Sequence, residues 1–487
     1  MICLGVVGMD NWFEYIRYNI RAQPETPAVV MEDRVVTYGM LGDAIEACAQ
    51  RIAALDFPKD SLVAICLQNP VRHLTIFFAL FRIGVCSISL EPMHQSIAGL
   101  NLTVVLADDP GKSAFARSNR IVEITDDWFS SRPVKDISLP APFSGEQEVC
   151  RQSLTSGSTG EPKVVDNTVG YYGRDIITGI MSFNCELLLS WVGLASAFGL
   201  KIACGTLASG KTLCFATSPF QAIRMIELFS IDMAVMSTDQ MVSLVRAVRK
   251  TGAQLKSLRT AVAGGSVPTR ALLEAAAINL CKDVRSRYGT SEVGLLGLAR
   301  AADMLSKPGF AGYISPGFDV EVFDFKGRRH QPGEIGIVKA RVKRNSELEQ
   351  NPWTDHGDVG WLTADGQLFI VGRKSDIADL STTARKIPPA LEVEHLVRLE
   401  WDASDAGAVM IEDPRFGAKP EIWVATVDCK DASREKLQAI MRERGIESFV
   451  RIFPLMTIPR GANGKIQRER LKSMLLSAAG MQLFEKS

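Results

Sequence analysis

Apolar and polar positions follow two periods along the chain. Several short apolar runs are typical of strands, namely VVTY (35–38), SLVAICL (61–67), VCSISL (85–90), TVVLA (103–107) and IDMAVMS (231–237). Between the first two runs, one face of a predicted helix carries Leu41, Ala44, Ile45, Cys48, Ile52 and Leu55. Thr238 follows the last run and is the predicted N-cap of the next helix. Strands that alternate with helices predict an α/β fold.

The pattern changes after residue 311. Up to residue 371, the segments VEVFDF, IGIVKA and QLFIVG are separated by Gly, Pro, Asp and Asn, which predicts an antiparallel β region. Beyond Arg373, two strand-like segments (423–427 and 450–455) flank an amphipathic helical segment (433–445). We therefore predict a large N-terminal body of α/β subdomains plus a β region, residues 1–373, and a small mobile α+β C-terminal domain, residues 374–487.

Composition and charge exclude several classes of protein. With 487 residues, 46% hydrophobic and 23% charged, the chain is long and apolar enough to form a large core, which argues against disorder. The 55 basic and 55 acidic residues cancel, so no chain-wide field favours nucleic acid or an anionic membrane. An anionic ligand therefore has to be bound locally.

Cysteine usage and apolar run lengths predict a cytoplasmic protein without a membrane span. The 10 cysteines include no C-x-x-C pair, which argues against a disulfide framework and a thiolate zinc site. The first residues, MICLGVVGMDNW, make a poor secretory signal because no basic residues precede the apolar ones. Residues 187–200 are apolar but fall short of the roughly 18 to 20 residues that span a bilayer.

A candidate anion-binding loop occupies residues 154–163. The sequence LTSGSTGEPK contains four hydroxyls, two glycines and a lysine. The glycines allow successive backbone N–H groups to face one concavity, and the hydroxyls and Lys163 can contact phosphate oxygens. A Ser/Gly linker is the alternative, but the loop lies between apolar runs and ends in a basic residue. We predict a phosphate-binding loop.

Residues 205–212, GTLASGKT, match the Walker A pattern but lack its context. A Walker loop follows a strand and begins a helix, whereas TLCFA (212–216) is predicted to be a strand and Pro219 follows soon after. We therefore predict that Lys211 is a surface turn residue before that strand.

Basic residues are concentrated between positions 451 and 472. Six basic residues and one acid, Glu469, give this segment a local excess of positive charge. The excess indicates either a solvated helix face or an arm over phosphates.

Four segments, in chain order, resemble the core signatures of the adenylate-forming superfamily. They are the loop 154–163, RYGTSEVG (287–294), HGDVGWLTADGQLFIVGR (356–373) and PRGANGKIQRERL (459–471). That superfamily contains acyl- and aryl-CoA synthetases, peptide-synthetase adenylation domains and luciferases. Weaker similarity at TPAVV, VVTY, GGSVP (264–268) and GEIG (333–336) extends the resemblance over roughly residues 25 to 475.

The resemblance implies an ATP site and assigns residues to it. Lys465 and Glu292 would be catalytic, and Glu292 with Thr155 would bind Mg²⁺, which prefers oxygen ligands. Tyr288 would stack on adenine, and Asp358 with Arg373 would bind the ribose. The complete set implied for ATP or AMP is Thr155, Ser156, Gly157, Ser158, Thr159, Gly160, Lys163, Gly264, Gly265, Ser266, Tyr288, Gly289, Thr290, Ser291, Asp358 and Arg373.

The resemblance also places the acid pocket, with departures from the common pattern. The pocket would include Ser196, Phe198, Gly199 and Gly294. In the segment 193–200, many relatives carry a histidine where this chain carries Ser196. No aspartate stands near the segment to hold an ammonium group, so a hydrophobic acid is favoured. Residues 372–389, which would guide the thiol, depart most strongly from the family pattern.

The implied function is ATP-dependent activation of an aromatic or fatty carboxylic acid as acyl-adenylate, followed by thioester formation with coenzyme A. The implied cofactors are ATP, Mg²⁺ and coenzyme A as co-substrate. Two alternatives stay open: acyl transfer to the phosphopantetheine of an acyl carrier protein, and a catalytically silent nucleotide-binding paralogue.

Overall fold

The computed structural model describes most of the chain. The described residues are 12–58, 60–91, 100–112, 120–130, 137–156, 162–182, 184–290, 292–343, 352–374, 389–401, 403–412, 420–429, 432–460 and 466–484.

Helices and strands alternate through the N-terminal part of the chain. The helices of the described residues are α1 Trp12–Ala22, α2 Tyr38–Ala53, α3 Pro70–Arg82, α4 Val169–Ser182, α5 Ala197–Ala208, α6 Pro219–Phe229, α7 Thr238–Thr251, α8 Arg270–Asn279, α9 Ala301–Ser306, α10 Pro389–Glu400, α11 Arg434–Glu443 and α12 Arg468–Phe484. The strands are β1 Pro27–Met31, β2 Arg34–Thr37, β3 Leu62–Cys66, β4 Cys86–Ser89, β5 Val104–Ala107, β6 Arg120–Glu123, β7 Val149–Ser156, β8 Pro162–Thr168, β9 Leu187–Ser190, β10 Thr212–Phe215, β11 Met233–Ser237, β12 Thr260–Gly264, β13 Asp283–Thr290, β14 Gly294–Arg300, β15 Phe310–Tyr313, β16 Phe318–Phe323, β17 Gly336–Val342, β18 Thr354–Leu362, β19 Gln367–Arg373, β20 Asp405–Ile411, β21 Glu421–Val427 and β22 Phe449–Pro454.

The first of two compact units comprises residues 1–237, 255–262 and 289–295. It holds a six-stranded sheet in the order β6-β5-β3-β4-β7-β8, in which neighbouring strands are parallel except for the β7/β8 hairpin. A second sheet contributes five strands that lie wholly in this unit, in the order β11-β9-β10-β1-β2. The strands β12, β13 and β14 are each divided between the two units and follow the order β14-β13-β12.

The second unit comprises residues 238–254, 263–288 and 296–487. It contains an antiparallel five-stranded sheet, order β15-β19-β18-β17-β16, and a three-stranded sheet, order β20-β21-β22. In the smaller sheet, Ile422 and Val424 face the core with α10 and α11, while Trp423 and Ala425 face the core with α12. Because both faces are covered, β21 is buried almost throughout, which explains its continuous apolar sequence.

Most of the predicted elements are confirmed. The α/β alternation, the antiparallel β region and the helix at α11 are all present. Thr238 is not an N-cap: α7 begins at Thr238 itself, and its hydroxyl donates to the Ser266 carbonyl at 2.9 Å. The domain boundary near residue 373 stays a prediction; residues 296–487 all belong to the second unit. Among the described residues, no helix is long and apolar enough to cross a membrane.

One buried cation in the first unit has no hydrogen-bond partner among the residues that the structure describes. Arg151 lies in β7 and has no exposed surface. Its three guanidinium nitrogens make no hydrogen bond to any described residue, although the group lies 5.4 Å from the centroid of the Phe77 ring. A desolvated charge without a partner costs several kcal/mol, and a cation–π contact returns only about 2 kcal/mol. Arg151 is therefore a source of instability in this core.

Replacing Arg151 by an apolar side chain should stabilise the protein. We expect Arg151→Met to raise the free energy of unfolding by about 1 to 3 kcal/mol, because the buried charge is removed and an unbranched side chain still packs on Phe77. Urea unfolding followed by circular dichroism measures the change. Arg151→Lys, which keeps the charge and loses the planar stacking, is the matched control and should not stabilise. A stability loss above about 1 kcal/mol for the Met variant would contradict this account.

Candidate active site

The predicted phosphate loop connects the two strands of a β-hairpin. β7 and β8 are antiparallel, with Thr155 opposite Lys163 and Ser156 opposite Pro162. Lys163 is exposed at the start of β8. Gly157, Ser158, Thr159 and Gly160 lie outside the described residues, as does the catalytic candidate Lys465. The register of the hairpin nevertheless brings Lys163 next to the hydroxyl-bearing end of β7.

The Walker-like segment 205–212 does not form a Walker site, as predicted from its context. Its first residues belong to the end of α5, Gly210 has a positive φ of 72°, and Thr212 begins strand β10. The Lys211 ammonium pairs with Glu186 at 2.7 Å. Lys211 is therefore a turn residue with a local ion pair.

Tyr288, Asp358 and Arg373 form a cluster in the second unit, which we call the Tyr288 cluster. The Tyr288 hydroxyl donates to Asp358 Oδ2 at 2.7 Å, and Arg373 Nε lies 3.2 Å from Asp358 Oδ1. The β18/β19 register places Asp358 and Arg373 directly opposite each other. An ionised carboxylate has about four acceptor positions, so Asp358 can accept further hydroxyl hydrogen bonds.

The electrostatics of the Tyr288 cluster favour one protonation state. Burial and the neighbouring Asp358 carboxylate raise the pKa of the Tyr288 hydroxyl well above its ordinary value. The phenol therefore keeps its proton and acts as a donor to Asp358. Arg373 is half exposed, which leaves its guanidinium accessible to an anionic or hydroxylated ligand.

The loop after β12 carries the next nucleotide candidates. Gly264 ends the strand, Gly265 has a φ of 89°, and Gly265 and Ser266 are both exposed. The Ser266 carbonyl accepts the Thr238 hydroxyl, as described above. This hydrogen bond anchors the loop to the first turn of α7 within the second unit.

The pocket candidates 196–199 form the start of α5. Ser196 is the N-cap: its hydroxyl oxygen accepts the Gly199 N–H at 3.0 Å and its O–H donates to the Gly193 carbonyl at 2.8 Å. A Cβ on Gly199 would lie 2.3 Å from the Gly193 carbonyl oxygen, so only glycine fits there. Phe198 is half-buried and packs on the main core. These contacts give Ser196 and Gly199 structural roles in addition to the predicted ones.

The turn after β13 holds Glu292, the predicted Mg²⁺ ligand. The Thr290 hydroxyl oxygen accepts the Val293 N–H at 3.2 Å. A Cβ on Gly289 would lie 2.3 Å from the Gly294 carbonyl oxygen, and Gly294 itself has a φ of 100°. The glycines therefore allow a tight turn that leaves Glu292 half-buried. Ser291 lies outside the described residues.

A buried ion pair supports this turn, and the sequence analysis missed it. Lys201 in α5 and Asp175 in α4 pair at 2.8 Å, with side chains only 5% and 3% exposed. Asp175 Oδ1 also accepts the Leu295 N–H at 3.0 Å. The sequence signal is Lys201 as the one charged residue of the apolar stretch 197–208, and Asp175 next to Arg174 in the mostly apolar stretch 169–182. The apolar run 187–200 ends just before Lys201, which lies inside α5.

Three described arginines in the basic segment 451–472 have acidic partners. Arg451 pairs with Glu421 at 2.6 Å, Arg460 with Asp405 at 2.7 Å and Arg468 with Glu394 at 3.0 Å. Much of the local positive excess is thus compensated by acids from outside the segment, so the excess by itself does not indicate a phosphate-binding arm.

The described residues contain no group of three or more His, Cys, Asp or Glu side chains placed to hold a metal ion. Mg²⁺ is commonly held by one or two carboxylates together with substrate phosphates. Glu292 and the hydroxyls at the end of β7 have the chemistry that such a shared site needs.

Comparison with known proteins gives full-length matches. A family model described as AMP-binding enzyme matches residues 16–342, more than half of the chain. The 2-succinylbenzoate–CoA ligase of Geobacillus kaustophilus is 26% identical, with 96% of this chain and 98% of that protein covered.

Solved structures show the same fold. The o-succinylbenzoate CoA synthetase of Bacillus subtilis, in complex with the acyl-adenylate intermediate OSB-AMP, has a TM-score of 0.76 at 22% identity, covering 94% of this chain and 97% of that one. The amide bond synthetase McbA of Marinactinospora thermotolerans has a TM-score of 0.75 at 20% identity, covering 95% and 99%. These similarities confirm the predicted large N-terminal body and small C-terminal domain as a fold class.

The Tyr288 cluster predicts a graded loss of ATP affinity. Asp358→Asn should weaken ATP binding about tenfold, because the amide replaces one acceptor oxygen and removes the charge that faces Arg373. Tyr288→Phe, which keeps the ring and removes only the hydroxyl, should weaken it about threefold. Isothermal titration calorimetry with ATP measures both. An unchanged affinity in Asp358→Asn would remove Asp358 from the nucleotide site.

The two lysine candidates for the phosphates are separable. Lys163→Ala should weaken ATP binding about tenfold, whereas Lys211→Ala should leave it within about threefold, since Lys211 only makes a local surface pair. The two substitutions delete the same side chain, so each is the control for the other. If Lys211→Ala caused the larger loss, the assignment of the phosphate loop would be wrong.

Proposed function

Because the chain belongs to the family of AMP-binding enzymes, we propose that it activates an aromatic carboxylic acid with ATP and transfers the acyl group to coenzyme A. The carboxylate oxygen of the acid attacks the α-phosphorus of ATP, and pyrophosphate leaves. The thiol sulfur of coenzyme A then attacks the acyl carbon, AMP leaves, and the thiol loses its proton. The observation that carries the proposal is the Tyr288 cluster, in which an acceptor carboxylate is held between a phenol donor and a guanidinium.

Each step is assigned to residues of this chain. Asp358 accepts hydrogen bonds from the ribose hydroxyls, and the ring of Tyr288 contacts the adenine. Lys163 and the hydroxyls of the loop 154–163 bind the phosphates, while Glu292 and Thr155 provide oxygen ligands for Mg²⁺. Bound Mg²⁺ neutralises charge on the departing pyrophosphate. Lys465 stabilises the negative charge that develops at the α-phosphate.

The proposed acid is aromatic and carries a single carboxylate. Two of the named relatives carry 2-succinylbenzoate in their names, and this compound is an aromatic acid with two carboxylates. In this chain the buried cation closest in sequence to the pocket segment 196–199, Lys201, is already paired with Asp175. If the Lys201 ammonium left Asp175 to pair with a second substrate carboxylate, Asp175 would stay buried without a counter-ion, which is strongly unfavourable. A monocarboxylic aromatic acid avoids this penalty.

The acceptor is proposed to be coenzyme A, as the name of the curated relative indicates for that enzyme. The amide bond synthetase shares the fold, so an amine acceptor is a specific second candidate. The segment 372–389 departs from the family pattern in sequence, and its residues 375–388 lie outside the described residues. The acceptor is therefore best decided by experiment, with a carrier-protein phosphopantetheine as a third arm.

A pyrophosphate-release assay across acids tests the proposal. We expect ATP- and Mg²⁺-dependent release with benzoates or cinnamates, less with 2-succinylbenzoate, and little with amino acids. Addition of coenzyme A should convert a slow release into sustained turnover, because the thiol clears the adenylate from the site.

Controls make the assay decisive. Lys465→Ala should slow adenylate formation about 10² to 10³-fold while ATP still binds. Turnover that responds to amines and not to coenzyme A would favour the amide alternative. Release of ADP and phosphate in place of AMP and pyrophosphate, or no release with any acid, would reject the proposed function.

A further inference from the structure

The turn that carries Glu292 is connected to the interior of the first unit by a single carboxylate. Asp175 Oδ1 accepts the Leu295 N–H at 3.0 Å, and its other oxygen, Oδ2, pairs with the Lys201 ammonium at 2.8 Å. Both charged side chains are more than nine-tenths buried. A carboxylate in this setting is fixed, because moving it would break a buried ion pair and a buried hydrogen bond together.

The backbone of the turn fits tightly around this carboxylate. Gly294 has a φ of 100°, and a Cβ at that position would lie 2.6 Å from Asp175 Oδ1. The absence of a side chain at Gly294 lets the carboxylate approach the main chain and reach the Leu295 amide. The local structure therefore requires glycine at position 294, whether or not a substrate is bound there.

Two aromatic residues of α4 also contact the Lys201 ammonium. Its ammonium donates to the Tyr171 hydroxyl at 3.2 Å and lies 5.5 Å from the centroid of the Tyr172 ring. Lys201 belongs to α5, whose first residues are the pocket candidates Ser196, Phe198 and Gly199. The pair therefore links α5 and α4 to the turn that contains Glu292.

We infer that Asp175 is a positioning residue that fixes the Glu292 carboxylate for Mg²⁺·ATP, with Lys201 as its neutralising partner. Thr290 holds the Val293 amide and Asp175 holds the Leu295 amide, so the backbone that follows Glu292 is fixed at two points. The inference rests on the proposed function only in taking Glu292 as the Mg²⁺ ligand.

Two charge-neutral double variants separate positioning from charge balance. In Asp175→Asn/Lys201→Met, the amide oxygen can still accept the Leu295 N–H. In Asp175→Leu/Lys201→Met, a side chain of similar size cannot. Neither variant leaves a buried charge unpaired, so both should fold. A difference in behaviour between the two variants therefore measures the effect of the hydrogen-bond acceptor at position 175 alone.

The first measurement is amide hydrogen exchange on the full-length protein without ligand. In the Leu/Met variant, peptides that contain Leu295 should exchange about tenfold faster than in the unmodified protein. In the Asn/Met variant, their exchange rate should be unchanged. Peptides from β18 and β19 are the internal control and should not change. The second measurement is the affinity for ATP with Mg²⁺ and with EDTA.

The affinity should fall about tenfold in the Leu/Met variant with Mg²⁺ and stay unchanged in EDTA. In a Glu292→Gln background the same double change should have no further effect on the Mg²⁺-dependent affinity. Equal behaviour of the two double variants would overturn the inference and leave Asp175 as a counter-ion of Lys201. Faster exchange without a change in Mg²⁺-dependent affinity would also overturn it. Neither measurement uses an acid, so a failure of the acid panel would reject the proposed function and leave this test intact.

Discussion

The geometry of the candidate nucleotide site depends on the register between β18 and β19. On one side of a register shift between Val359 and Gly360, Asp358 lies opposite Arg373. On the other side, Trp361 stacks on its partner Phe369, with the ring centroids 4.6 Å apart. Gly360 allows the pairing, because a Cβ there would lie 2.0 Å from the Phe369 carbonyl oxygen. A slip of one residue would turn Asp358 to the opposite face of the sheet and separate it from Tyr288. The stacked aromatic pair and the close glycine therefore fix the strand pairing beside the shift, and the shift itself brings Asp358 opposite Arg373.

The candidate residues are placed by two kinds of local structure. The β7/β8 hairpin positions Lys163, and a tight turn in which glycines permit close backbone approach positions Glu292. Strand register positions Asp358 and Arg373. In both cases the backbone hydrogen bonds of a sheet hold the strands in which, or next to which, the functional side chain lies. This arrangement suits a site that binds phosphates and hydroxyls, since their hydrogen bonds require donors and acceptors in fixed directions.

Local pattern was sufficient to predict most of the elements. Alternation of period identified β3, α2 and β4 because buried strands and amphipathic helices have distinct spacings of apolar residues. The Walker-like segment was rejected correctly for the same reason, since a strand follows Lys211. Thr238 shows the limit of such reasoning. Its hydroxyl donates to the Ser266 carbonyl, a contact across 28 positions that no local capping rule contains.

Buried charges show most clearly which features could not be predicted from the sequence without the three-dimensional structure. Arg151 and Lys201 are both buried cations of the first unit, and the residues next to them in sequence do not identify a partner for either. Lys201 meets Asp175, so its charge is compensated and the resulting pair can hold a backbone amide in place. Arg151 meets the face of Phe77 and no described acceptor, so its burial is unfavourable without an evident return. The partner of a buried charge is chosen by helix packing, and only a partnered charge has the directional hydrogen bonds needed to position a catalytic loop. A buried cation therefore supports a site in α5 and destabilises the core in β7.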